Sequence, residues 1–353
     1  MRFHRLVSLV SLSLLAAGCV TIDFTGPGTD NTIALVSGRE IANSNGLQSV
    51  TWSAKGDELV YVTDGSEAAL AYRVADRVER ELYRSAQTKI YEAMLTADGA
   101  EFVTTSLGNN LRTIRRHSAL GTSVLTDRGV GLSSTSTGGA RALIISPMRP
   151  VAYFVATPDS LFSHARGSGA RLVSTGCAAI LALSADETEL LCLSANREAI
   201  IVRADGTGTR SLTLPAGLTT NARLYSWGIA GIQVIYGDGL DAKLYDVQAR
   251  STRTVISSRS LFDSTPLDKL SWSADGRVLA SVKNVCAQTS GLFSCAKSQW
   301  IFEIRELVSG GTTRVAVHNA DSISHGLTSV SVSPDSKLLA YTVNGRLYLK
   351  ELP

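Results

Sequence analysis

The stretch SVSVSPDSKLLAYTVNGRLYLKEL, residues 329–352, decides the fold. A short alternating run meets a Ser-Pro-Asp-Ser turn, a second apolar run follows, and Asn344-Gly345 reverses the chain into a third alternating run. Alternation of period two bounded by Asp, Ser, Asn and Gly is the signature of antiparallel strands joined by tight turns. Three strands are written here, and no fourth follows.

The same grammar recurs upstream. SVTWSAKGDELVYVTD from Ser49 and KLSWSADGRVLASVKN from Lys269 are close copies, and weaker ones start at Tyr91, Ala142, Ile180 and Leu224. Seven copies spaced roughly 40 to 60 residues apart fall in or near the range of propeller blades. Two copies lack the acidic turn: Pro147-Met148-Arg149 stands in one, and Gly228 to Gly231 in the other. After each of the first six copies comes a further short strand, such as RELYRS from Arg80 or TTRVAV from Thr312. The last copy lacks one, and the segment NTIALVSG, residues 31–38, has no other assignment. The expectation is therefore an all-β, seven-bladed propeller of four-stranded antiparallel blades over residues 31–353. In it the N-terminal strand 31–38 completes the last blade, so that ring closure removes the exposed sheet edges.

The length and the composition, 44% hydrophobic and 18% charged, suit a chain that buries a large core. The first twenty residues are a separate object. MRFHRLVSLVSLSLLAAGCV has a basic start, an apolar run and small residues before Cys19. That is a secretory pattern, and the run is shorter than the roughly 20 residues a spanning helix needs. LAAGC resembles the lipobox of bacterial lipoproteins, with Ala16 where that family usually has Leu. The resemblance implies cleavage after residue 18, a diacylglyceryl group on Cys19 and a lipidated linker over 19–30. Val20 after the cysteine implies the outer membrane, facing the periplasm. Two or more acyl chains give stable anchoring. Without residues 1–18 the chain carries 32 Lys plus Arg against 31 Asp plus Glu. That balance gives no basic patch for nucleic acid.

The repeat grammar, with Trp52 and Trp272 just before the turn serines Ser53 and Ser273, resembles the propeller of TolB and related WD-like periplasmic propellers. The resemblance spans about residues 31–353. It implies the propeller and does not carry over TolB's own partner. A rigid closed scaffold with an anchor and no recognisable chemistry gives the leading expectation, by analogy to TolB: a non-enzymatic platform for an envelope protein partner. The alternative is a propeller that binds a glycan or small molecule at a polar, aromatic-lined channel mouth, and the third reading is a propeller lyase or hydrolase.

Cys286 and Cys295 flank a short loop, which in an oxidising compartment predicts a disulfide. Cys177 and Cys192 differ. A turn at 184–188 sets Cys192 opposite Ile180 and Cys177 opposite Ala195, an offset of three that places them on opposite faces. Cys192 then reads as a small core residue. The histidines His117, His164, His318 and His325 sit in no metal motif, and no nucleophile elbow or calcium loop occurs. Asp98, Asp186, Asp275 and Asp335 recur at one place in successive turns and read as structural. No catalytic residue, metal or cofactor is expected.

Overall fold

The computed structural model describes residues 32–43, 49–63, 67–108, 111–129, 141–218, 222–228, 231–238, 241–257, 269–274, 276–289, 295–320 and 329–353. Cys19, the lipobox, His325 and Asp275 lie outside them.

Strand β1 is Arg39–Asn43. One sheet holds β2 (Val50–Trp52), β3 (Glu58–Thr63), β4 (Ala68–Arg73) and β5 (Val78–Arg84). Then come β6 (Ile90–Leu95), β7 (Phe102–Gly108), β8 (Leu111–Ser118), β9 (Gly121–Gly129), β10 (Leu143–Ile145), β11 (Val151–Ala156), β12 (Ser160–Ala165) and β13 (Arg171–Thr175). The next sheets are β14 (Ala179–Leu183), β15 (Glu189–Leu193), β16 (Ala199–Arg203), β17 (Thr209–Ser211), and β18 (Ala222–Gly228), β19 (Gly231–Asp238), β20 (Asp241–Asp246), β21 (Ser251–Ile256). A fourth set is β22 (Leu270–Trp272), β23 (Val278–Thr289), β24 (Cys295–Glu306) and β25 (Thr312–Asn319), followed by β26 (Ser329–Val332), β27 (Leu338–Val343) and β28 (Arg346–Glu351).

All pairings are antiparallel, and the first strands of the repeats, β2, β6, β10, β14, β18, β22 and β26, lie innermost. β26 touches both β22 and β2, so the array closes on itself. The second strands β3, β11, β15 and β27 read as continuous apolar runs because they are covered on both faces by neighbouring sheets. The outer strands β5, β17 and β21 are largely exposed. One cluster packs Leu59, Tyr61 and Tyr72 against Ala340, Leu347 and Leu349, closing the ring between its ends. Phe302 of β24 and Tyr341 of β27 pack that last sheet against the β22–β25 sheet before it, with ring centroids 4.3 Å apart. Each such buried aromatic contributes about 1.5–3 kcal/mol through removal from water.

The expected count is corrected. Five four-stranded blades form, not seven. The remaining strands, β6 to β13, make one eight-stranded sheet, because the end of β9 pairs with β11 through Gly129 and Ala156. Two physical causes are visible. A Cβ at Gly129 would stand 2.8 Å from the Arg112 carbonyl, so only glycine lets β9 run on to that contact. Arg116 on β8, itself buried, then reaches across to β12 and the start of β11. Its Nη1 donates to the His164 carbonyl at 3.1 Å and also meets His164 Nδ1, and its Nη2 donates to the Pro150 carbonyl at 3.2 Å.

The closing strand is also corrected. β28 is paired by β1, residues 39–43, with Glu40 opposite Tyr348 and an ion pair from Arg346 to Glu40 at 2.9 Å. Residues 32–38 instead form a strap across the two last sheets. Val36 exchanges both backbone bonds with Val317 of β25, at 3.1 and 2.7 Å, and the Gly38 N–H donates to Tyr341 Oη at 2.7 Å.

Cys286 and Cys295 are disulfide-bonded, with Cα atoms 5.6 Å apart, where β23 and β24 extend into a long hairpin. Cys177 and Cys192 are bonded too, at the same Cα separation, which overturns the opposite-face expectation. Cys192 does sit opposite Ile180. Cys177, however, precedes β14, and Gly176 beside it has φ +91°, so strand alternation does not set its side-chain direction.

Candidate functional site in the axial channel

The turns that follow the inner strands explain the recurring serines and aspartates. Ser53, Ser184 and Ser333 each donate from Oγ to the aspartate of their own turn, at 2.6–2.7 Å. Each also accepts the N–H five residues on, from Glu58, Glu189 and Leu338, at 2.9–3.0 Å. Thr96 with Asp98 repeats the arrangement. The fourth turn residue has positive φ in Gly56, Gly99, Glu187, Gly276 and Ser336, and glycine stands there in three of the five. The described aspartates therefore build turns.

The turn without an aspartate borrows an acid. Glu187, fully buried and at φ +57°, accepts from Ser146 Oγ at 2.6 Å, from the Met148 N–H at 2.8 Å and from Arg149 Nε at 2.7 Å. This carboxylate comes from the neighbouring repeat, so Pro147-Met148-Arg149 is a joint between sheets.

The inner strands enclose a cavity of about 600 Å³ along the axis. Because these strands share one direction, Ser49, Arg141, Lys269 and Ser329 at or just before their starts face one end of it. Trp52 and Trp272, each beside its turn serine, line the other end together with Trp227. Thr51, Ser226, Ser271 and Ser331 line the middle. Some of these groups tie one repeat to the next: Thr51 Oγ1 donates to the Ala93 carbonyl at 2.8 Å, Ser271 Oγ accepts the Val332 N–H at 3.1 Å, and Trp52 Nε1 donates to the Ser331 carbonyl at 3.1 Å. Burial pushes the Tyr225 hydroxyl up to about 12, which keeps it protonated. Burial lowers the Arg141 guanidinium, and the Glu92 carboxylate opposes that shift.

The histidines lie elsewhere. His117 is buried between Thr104 and Thr122, at 2.8 and 2.9 Å, and stacks on Phe102. His164 serves the Arg116 network, and His318 Nε2 meets Tyr341 Oη at 3.0 Å under the strap. Among the described residues, no group of three or more His, Cys, Asp or Glu side chains is gathered as a metal site.

Sequence reasoning placed Trp52 and Trp272 as turn markers and gave Tyr225 and Trp227 no role. The recurrence of tryptophan at the same place in three repeats was the available signal.

No family model matches the chain, and none of the curated protein sequences compared is similar to it. Solved structures are similar in fold. A chain of a mitotic checkpoint complex is 13% identical over 92% of both chains, with a TM-score of 0.54. An oligogalacturonate lyase from Vibrio parahaemolyticus is 10% identical over 93% of this chain and 99% of its own, with a TM-score of 0.57. The Swd1 (Cps50) β-propeller domain of Myceliophteria thermophila is 11% identical over 93% of this chain and all of its own, with a TM-score of 0.53. At these identities the likeness concerns architecture alone: the chain has a β-propeller fold.

Proposed function

We propose that this protein is a cell-envelope lipoprotein, acylated on Cys19 and held on the outer membrane facing the periplasm. Its propeller is a non-enzymatic platform that docks an envelope protein. The observation that carries the reading is the strap of residues 32–38. The first described residues after the lipobox are stitched to two sheets by Gln299, Val317 and Tyr341 before β1 completes the last sheet. A tether entering through such a strap fixes the body to its anchor within a short reach, since residues 19–32 extend to at most about 45 Å. Neighbours of the same fold in multiprotein complexes support protein docking.

Two measurements test the reading. Labelled palmitate should enter the wild-type protein and not Cys19→Ser. Crosslinking in intact envelopes should join the wild type to one protein in fixed stoichiometry, with the yield falling in the unacylated variant. Absence of acylation on Cys19 sinks the anchor, and absence of any stoichiometric partner sinks the platform.

A further inference from the structure

The axial cavity is lined by polar and cationic side chains as well as apolar ones. At about 600 Å³ it lies within the roughly 300–1,000 Å³ range of small-molecule sites. Two cationic side chains, Arg141 and Lys269, stand toward one end, and among the described lining residues there is no carboxylate. Glu92, buried near Arg141, offsets part of that charge from behind the wall, without lining the cavity.

The wall is also unfinished. Ser49 Oγ and Tyr225 Oη, on side chains more than nine-tenths buried, have no hydrogen-bond partner, and neither do Trp272 Nε1 and Arg141 Nε. All four residues line the cavity. A buried polar atom left unpaired costs about 1–3 kcal/mol. The repeat itself shows how one of these costs is avoided, because Trp52, at the place corresponding to Trp272, donates to the Ser331 carbonyl. These orphaned atoms lie behind the cavity surface, shielded from solvent, and small side-chain rotations would offer them to a partner supplied from outside the chain.

We propose that the axial channel is a binding site for a small anion bearing hydroxyl groups, its charge held near Arg141 and Lys269 and its hydroxyls bonded along the serine, threonine and tyrosine wall. This site is independent of protein docking on the outer surfaces. The tryptophan side chains at the far end supply apolar surface for the carbon face of such a ligand.

Isothermal titration of the full mature chain tests this with three probes: glucuronate, glucose 6-phosphate and neutral glucose. The expected result is saturable one-to-one binding of an anionic probe, with glucose at least tenfold weaker; the better of the two anions identifies carboxylate or phosphate as the charged group. Arg141→Gln and Lys269→Gln should each weaken the anion about tenfold or more, the loss of one charge-assisted contact. Tyr225→Phe, which removes a single oxygen and leaves the packing, should weaken it while thermal unfolding stays unchanged or rises. No saturable binding of either anion, equal binding of glucose, or undiminished binding by folded Arg141→Gln and Lys269→Gln would overturn the proposal.

Discussion

Gln299 holds Ile33 by both edges of its amide: Nε2 donates to the Ile33 carbonyl at 2.9 Å, and Oε1 accepts the Ile33 N–H at 3.0 Å. The side chain thus imitates one rung of a β-ladder. It is 1% exposed, so neither bond competes with water at the glutamine end. Gln299→Ala should lower stability by about 1–3 kcal/mol, and Gln299→Glu by at least as much, because its second oxygen would face the Ile33 carbonyl. Urea denaturation of both variants gives the comparison.

The strap and β1 have separate roles, so truncations should separate. A mature chain lacking residues up to 38 loses the contacts to Gln299, Val317 and Tyr341 and should be less stable by about 2–4 kcal/mol. One lacking residues up to 43 also bares the edge of β28 and uncovers the cluster that Ile41 and Ala42 pack against. It should be less stable still and should self-associate through that edge. Equal denaturation midpoints and equal sedimentation would mean that β1 does not close the ring.

Arg116 joins the halves of the eight-stranded sheet and also pairs with Glu101, which is buried. Removing the guanidinium leaves that carboxylate without its buried partner, so Arg116→Ala should cost about 3–5 kcal/mol. Arg166 reaches the same Glu101 at 3.2 Å from a half-exposed position, and Arg166→Ala should cost under about 1 kcal/mol. Hydrogen exchange should also speed up in β11 and β12 in the first variant and not in the second.

His117 is pushed down to about 4, first by burial and then by the nearby Arg115 charge. Above the ordinary histidine value of about 6.5 the ring is neutral in folded and unfolded chains alike. Below it the unfolded chain takes up a proton that the folded one refuses, so stability falls as pH drops from about 6.5 towards 4. His164 and His318, also lowered by burial, act in the same direction. Denaturation midpoints at pH 7, 6, 5 and 4 should decline, and His117→Asn should flatten the slope whatever it does to stability at pH 7.

The two cystines differ in access. Cys177 and Cys192 are fully buried, whereas Cys295 is exposed. Dithiothreitol under native conditions should open Cys286–Cys295 within minutes and leave Cys177–Cys192 intact until the chain unfolds. Differential alkylation read by mass spectrometry follows each pair.

The repeated turns were legible because their chemistry is local: Ser53, Asp57 and Gly56 act within five residues. Pairings chosen by distant partners were not. Residues 31–38 carry the better strand-like alternation, yet Leu35 and Val36 lie exposed, while the charged REIAN stretch pairs with β28. An edge strand needs only one covered face, here that of Ile41, and its polar residues can face water. The merger of β9 with β11 rests on the missing side chain of Gly129, and the Cys177 pairing on a left-handed Gly176. The channel was hidden for another reason. Each repeat contributes a few residues to its wall, so no contiguous motif records it, and the cations Arg141 and Lys269 stand more than a hundred residues apart in the chain.

The strap also sets how the propeller carries a load. A pull arriving from residues before Thr32 reaches the bonds at Gln299, then those at Val317 and Tyr341, before it reaches β1. Rupture should therefore be stepwise, with the outer fastenings yielding as sacrificial links while the ring stays shut, and the distance between anchor and body lengthening by a few residues at each step.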